Sequence, residues 1–265
     1  MMKERRIRTP KRSIWSGNIT IGLVNVPVKL YAMTFDKSVA FRFLHKKDGQ
    51  PLKYERVCTK ENKVVPWSEV EKGLEISKDE FIVFSREELN AAKPESNRRI
   101  RVDKFVDYLS TDPVYFERSY ILAPDNSEDS YSLLLATLKK MGKAGIGRIT
   151  LRTKEYPVLV YPYKRALVLT ALRYANEIAD PKDFVELGKL KEPTKEELAL
   201  AARIVSDLSG KFDITEYKDG YRERVGALVK KKMSGERIVV EKPEREEAKE
   251  LMIALQETLK QLKKK

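Results

Sequence analysis

Apolar residues change rhythm along this chain. Over roughly the first two-thirds they fall in short β-rich runs. Over the last third they recur every three or four positions. The runs ITIGLV (19–24) and VPVKLYAM (26–33) predict two strands separated at Asn25. Pro27 lies at the start of the second, where a missing N–H costs least. In VAFRFLH (39–45), Val39, Phe41, Phe43 and His45 alternate with Ala40, Arg42 and Leu44, a period-two trace. PLKYERVC (51–58) is the next extended run, and Asp48-Gly49 and Glu61-Asn62 mark turns. Further strands are expected at 80–85, 99–106, 113–122, 146–153 and 165–174. This many short strands predicts a β-rich barrel or sandwich.

Helical spacing appears in four places. Residues 127–142 align Tyr131, Leu134, Leu135, Leu138 and Met141, and Gly142 supplies the stop. Residues 193–210 open on a Thr194…Glu197 capping box and carry Leu198, Ala201, Ala202, Val205 and Leu208 as a stripe. Residues 217–233 predict a third helix, weakened by Gly226. A last one is expected over 243–265, where Ala248, Met252, Leu255, Leu259 and Leu262 are spaced four, three, four, three, a heptad seam. The pattern therefore divides the chain into a β-rich body (12–180), a helical arm (181–235) and an appended amphipathic segment (243–265).

Composition adds a partner class. Lys and Arg number 53 against 40 Asp and Glu, a net charge of +13, which points to a polyanion. Much of this charge lies in extended segments: Arg42, Lys46, Lys47, Lys53, Arg56, Lys60 and Lys63 fall between Phe41 and Trp67. A hairpin charged on both faces cannot bury either, so it is expected to project and track phosphates. A second basic set is Arg148, Arg152 and Lys154, which share one face if the strand runs on through 154. A third is Arg98, Arg99 and Arg101, and a fourth Lys230, Lys231 and Lys232. No base-reading signature accompanies them, which argues for backbone contacts without sequence readout.

Catalytic chemistry finds little footing. The single histidine, His45, and the single cysteine, Cys58, have no partners at metal-ligand spacing, so no metal or cofactor is expected. One cysteine also excludes an internal disulfide framework, and a cytoplasmic, nucleoid-associated protein is expected. GKAGIGRI (142–149) approximates a phosphate loop but lacks the Lys-Ser/Thr and runs from helix into strand. No apolar run is long enough for a membrane helix. Two other readings stay open: an abasic-site lyase acting through a lysine Schiff base, and a general basic nucleic-acid scaffold.

Several blocks in order resemble one family. They are IWSGNITIGLVNVPVKLYA (14–32), YERVC…VPWSEVEKGLE (54–75), STDPVYFERSYILAPD (110–125), GIGRITLRTKE (145–155), ALVLTALRYANEI (166–178) and LSGKFDITEYKDGYRERVGALVKKKMSG (208–235). Together they resemble the prokaryotic Ku family, DNA-end binders of non-homologous end joining. The resemblance implies a Ku-core-like β-barrel with a projecting bridge of extended strands, here at about 36–72, and a helical C-terminal arm. It implies a non-enzymatic, ring-shaped homodimer that threads onto duplex ends, independent of sequence. The bridge cations are then expected on DNA, with Arg148 and Arg152 near the inner surface of the ring. It also implies a repair ligase as partner, for which Met252, Leu255, Leu259 and Leu262 offer an apolar seam.

Overall fold

The computed structural model describes residues 12–92, 98–236 and Thr258. Contacts divide the chain near Asp180 into two units.

In the first unit the strands are β1 (Trp15–Ile21), β2 (Val24–Ala32), β3 (Lys72–Ser77), β4 (Glu80–Phe84), β5 (Arg99–Asp107), β6 (Phe116–Pro124), β7 (Lys143–Leu151), β8 (Lys154–Tyr163) and β9 (Ala166–Leu172). Two helices interrupt them, α1 (Arg86–Ala91) and α2 (Glu128–Met141). Seven strands close a barrel in the order β1-β2-β6-β9-β8-β7-β5. Neighbours are antiparallel except at the seam, where β1 and β5 run parallel with Ile19 opposite Ile100. The fold is thus mixed and β-rich, built on a closed barrel. Closure leaves no sheet edge open, which a lone open sheet of this size would expose.

Alternation sends one face of each strand inward. Ile19, Val28, Leu30, Ile100, Leu122, Leu167 and Leu169 are fully buried in the resulting core. The inner side chains meet α2, which contributes Tyr131 and Leu138 from its buried stripe. The Tyr131 hydroxyl donates to Leu122 O at 2.6 Å and accepts from Leu167 N–H at 2.7 Å. Met141, expected on that stripe, is instead exposed, because the helix ends there at Gly142 in the left-handed region (φ 63).

β8 was not among the expected strands, and it carries two prolines, Pro157 and Pro162. Each proline lies where β8 has only one neighbour: Pro157 pairs with β7 alone and Pro162 with β9 alone. There a missing N–H breaks no ladder. The first turn is Gly22-Leu23, not Asn25, with Gly22 at φ 57.

The expected strands at 39–45 and 51–58 form no ladder. Backbone pairing there reduces to isolated bridges, Leu44 with Pro51 and Val57 with Val64. The segment is a chain of short hairpins that precedes β3 and β4, which pair only with each other. A two-stranded ribbon with no layer packed on it buries nothing, and every residue of β3 is exposed.

The second unit holds α3 (Lys195–Asp207), α4 (Gly220–Met233) and short 3-10 turns. The Thr194 capping box forms as expected: Glu197 N–H donates to Thr194 Oγ1 and Thr194 N–H to Glu197 Oε2. The expected apolar stripe of α3 is not buried; Leu198, Val205 and Leu208 are exposed. Among the described residues of this unit, only Val225 is buried. The heptad seam at 248–262 lies outside the described residues.

Candidate nucleic-acid interface

Two tight hairpins carry the cations expected on the bridge. In the first, His45 N–H donates to Gln50 O at 2.8 Å and Leu52 N–H to Phe43 O at 3.1 Å. Asp48 Oδ1 accepts from Gln50 N–H, the short polar side chain mimicking a backbone turn, and Gly49 takes φ 70. In the second, Cys58 N–H donates to Lys63 O at 2.9 Å and Val65 N–H to Arg56 O at 2.8 Å, with Asn62 at φ 54. The tips therefore hold Lys46 and Lys47 in one case and Lys60 in the other. Lys53 lies on the connection, Arg56 on the outgoing arm and Lys63 on the returning arm of the second hairpin, and Arg42 on the entry to the first.

All seven of these cations are exposed. Among the described residues, none forms an ion pair with a carboxylate. Arg56 lies over the Trp67 ring, 4.3 Å from its centroid. That contact orients the guanidinium without neutralising it. The hairpins thus present positive charge that no ion pair among the described residues neutralises.

The two reactive side chains of this stretch are otherwise engaged or unaccompanied. His45 Nδ1 lies 3.0 Å from Asp48 Oδ1 at the first tip. The Gln50 amide, and then the His45 ring, hold the Asp48 carboxyl below the usual carboxylate range. Cys58 is a free, partly exposed thiol in the second hairpin. Among the described residues, no three His, Cys, Asp or Glu side chains converge as a metal site would require.

The barrel cations are arranged differently. Arg148, Arg152 and Lys154 do not share one extended strand. β7 ends at Leu151, which pairs with Lys154, so Arg152 and Thr153 form the hairpin turn, with Arg152 at φ 58. Lys154 turns to Glu177 at 3.1 Å. Arg148 lies within 3.6 Å of Asp103 and 3.7 Å of Glu155. Asp103 also holds Arg101 at 2.9 Å. Arg148 is therefore a compensated cation, unlike those on the hairpins. Its partner Asp103 shares a strand face with Arg101 two positions away, but that this face lies beside Arg148 is set only by the register of β5 on β7.

Two lysines of the barrel are poorly suited to Schiff-base chemistry. A Schiff-base lysine needs a depressed pKa. The hydrogen bond to Asp125 raises that of Lys29, and the hydrogen bond to Glu177 raises that of Lys154, both toward fuller protonation.

Comparison with known proteins converges on the same architecture. The family model described as the Ku70/Ku80 beta-barrel domain matches residues 20–200. The chain is 40% identical over 250 residues to a non-homologous end joining protein Ku of Anaeromyxobacter sp. (strain K), covering 94% of this chain and 83% of that protein. It is 35% identical over 253 residues to the protein of the same name from Archaeoglobus fulgidus, covering 95% of this chain and all of the relative. With the Bacillus subtilis Ku protein it shares 33% identity over 262 residues, 97% of this chain and 84% of the other. No helix among the described residues is long and apolar enough to cross a membrane. With a closed barrel and a family match that spans most of it, the chain belongs to the Ku family.

Proposed function

We propose that this chain binds the ends of double-stranded DNA, irrespective of sequence, as a ring-shaped homodimer. In this reading it serves double-strand break repair by non-homologous end joining and recruits or stimulates a DNA ligase. The observation that carries the reading is the set of seven exposed cations between Arg42 and Lys63, none of which is in an ion pair among the described residues. Positive charge on a non-catalytic, signature-free surface suits phosphate contacts, which hold any duplex and read none.

Self-association is supported by what a single chain leaves uncovered. Phe43, Tyr54 and Trp67 on the hairpins are 73%, 81% and 64% exposed. The β3–β4 ribbon leaves Leu74, Ile76, Phe81 and Val83 exposed as well. The helical unit adds Phe212 and Tyr217. Apolar surface on this scale marks an interface. A second copy answers it, and two copies together close a ring that one cannot. The ligase partner is assigned to the 243–265 segment on its heptad seam and on the family resemblance.

The test is binding to linear duplex against a small covalently closed circle, with the mass of the complex measured in the same experiment. The expected result is a complex with two subunits on the linear duplex and weak binding to the circle. Equal affinity for both, or a monomeric complex, would refute the ring. Deleting 243–265 should preserve end binding and abolish stimulation of the ligase.

A further inference from the structure

Arg101 and Arg148 are direct register partners across β5 and β7, on the outward face of the barrel. Two like charges at opposed positions on one face repel. The register shifts between Val102 and Lys104, so Asp103 is the extra residue of a bulge. A bulge re-aims its side chain. Here Asp103 Oδ1 lies 2.9 Å from Arg101 Nε, and Oδ2 lies 3.6 Å from Arg148 Nε. The bulge brings the β5 backbone so close to β7 that a Cβ on Gly147 would meet Arg101 O at 1.8 Å. Glycine at 147 thus permits this close approach of the β5 backbone to β7. The arginines and both carboxylates are exposed. Asp103, Arg148 and Glu155 line a shallow groove of about 250 Å3, with Lys104, Pro157 and Tyr174 at its sides.

We propose that Asp103 occupies the place of a DNA phosphate between Arg101 and Arg148, and that duplex binding exchanges this carboxylate for phosphate. The inference rests on the proposed duplex binding. Both ligands are anionic acceptor oxygens that a guanidinium binds, so the exchange replaces one ion pair by another. Little is gained per contact, and the displaced carboxylate stays close enough to repel the phosphate. The barrel face therefore holds a duplex weakly, whereas the hairpin cations, with no carboxylate to displace, hold it strongly. Asp103 is in this sense a residue that lowers affinity.

The test uses the full-length protein and a short linear duplex, with Kd measured at several salt concentrations. Four forms are compared: wild type, Asp103→Asn, Arg101→Gln with Arg148→Gln, and the triple variant. Asp103→Asn should bind about two- to fivefold tighter, the range set by exposed ion pairs. Its salt dependence should steepen by up to about 1.8 in log K against log salt, one further neutralised phosphate in each of the two subunits. The gain should vanish in the background lacking both arginines. Circular dichroism melts confirm that each form is folded. Unchanged or weaker binding by folded Asp103→Asn would overturn the inference. So would an equal gain without the arginines, which would reduce it to net charge. Failure of the wild type to bind linear duplex would bring down the proposed function itself, a separate outcome.

Discussion

Tyr131→Phe removes one oxygen from the interior and should destabilise the barrel far more than its size suggests. The hydroxyl sits between two backbone groups of adjacent strands, accepting from Leu167 N–H at 2.7 Å and donating to Leu122 O at 2.6 Å. Leu122 and Leu167 are register partners across β6 and β9, and both are fully buried. Tyr131 itself is 6% exposed. Without the hydroxyl, a donor and an acceptor are left in a water-free site. Each orphaned group costs about 1–3 kcal/mol, and partial relaxation of the strands recovers some of that. The net expectation is a loss of about 2–4 kcal/mol. At about 2–4 °C per kcal/mol, the melting temperature should drop by roughly 5–15 °C. Guanidinium unfolding followed by far-ultraviolet circular dichroism measures the difference. Tyr163→Phe, at an exposed ring on the same sheet, is the control and should stay within about 0.5 kcal/mol. A Tyr131→Phe protein as stable as that control, with an unchanged denaturant slope, would refute the reasoning.

Gly147→Ala should cost about 2–4 kcal/mol, because its Cβ meets backbone and not a yielding side chain; thermal unfolding near that of wild type would show that the bulge can shift. Reversing charge with Lys53→Glu and Arg56→Glu should weaken binding to every duplex sequence alike. If both residues meet phosphates in both subunits, the salt slope should flatten by about 3–4; an unchanged slope takes them off the DNA. Glu197 is held below the usual glutamate range by the Thr194 amide and then its hydroxyl, so it contributes stability above that range and loses it as pH falls through its own lowered value. Amide exchange in α3 should therefore speed up on going from pH 7 to pH 3 relative to a Glu197→Gln protein, after correction for intrinsic rates; identical protection in the two proteins at both pH values would exclude the box as a source of stability.

Much of the barrel was legible because extended runs declare themselves locally: β2, β5, β6, β7 and β9 largely overlap predicted extended segments, whereas β1 does so only over its last three residues. Helix signals were equally local. Gly142 ends α2 and the Thr194…Glu197 box opens α3, as their spacing indicates. β8 was not expected, and the acceptability of its two prolines depends on where its neighbours stop. The reverse error occurred at 39–45, where alternation was present but no neighbouring strand lay alongside to make a ladder. The hairpin cations could be read from their residue types and turn signals. The apolar stripe of α3 was read from spacing alone, and its exposure shows that a stripe marks what a helix offers, not what covers it.

The sequence by itself determined the extended character of most barrel strands, the capping signals of the helices and the excess of positive charge that selects an anionic partner. These are properties of residues a few positions apart, and local sterics and hydrogen bonding settle them. Which charges remain uncompensated was decided only by the tertiary structure. Asp103 and Arg148 are 45 positions apart in a chain whose spacing says nothing of a bulge. Closing the barrel aligned β5 with β7 and set Asp103 beside Arg148 as well as Arg101, while among the described residues the hairpin cations have no ion pair. Coulomb energy depends on distance through space, and that distance is set by strand register.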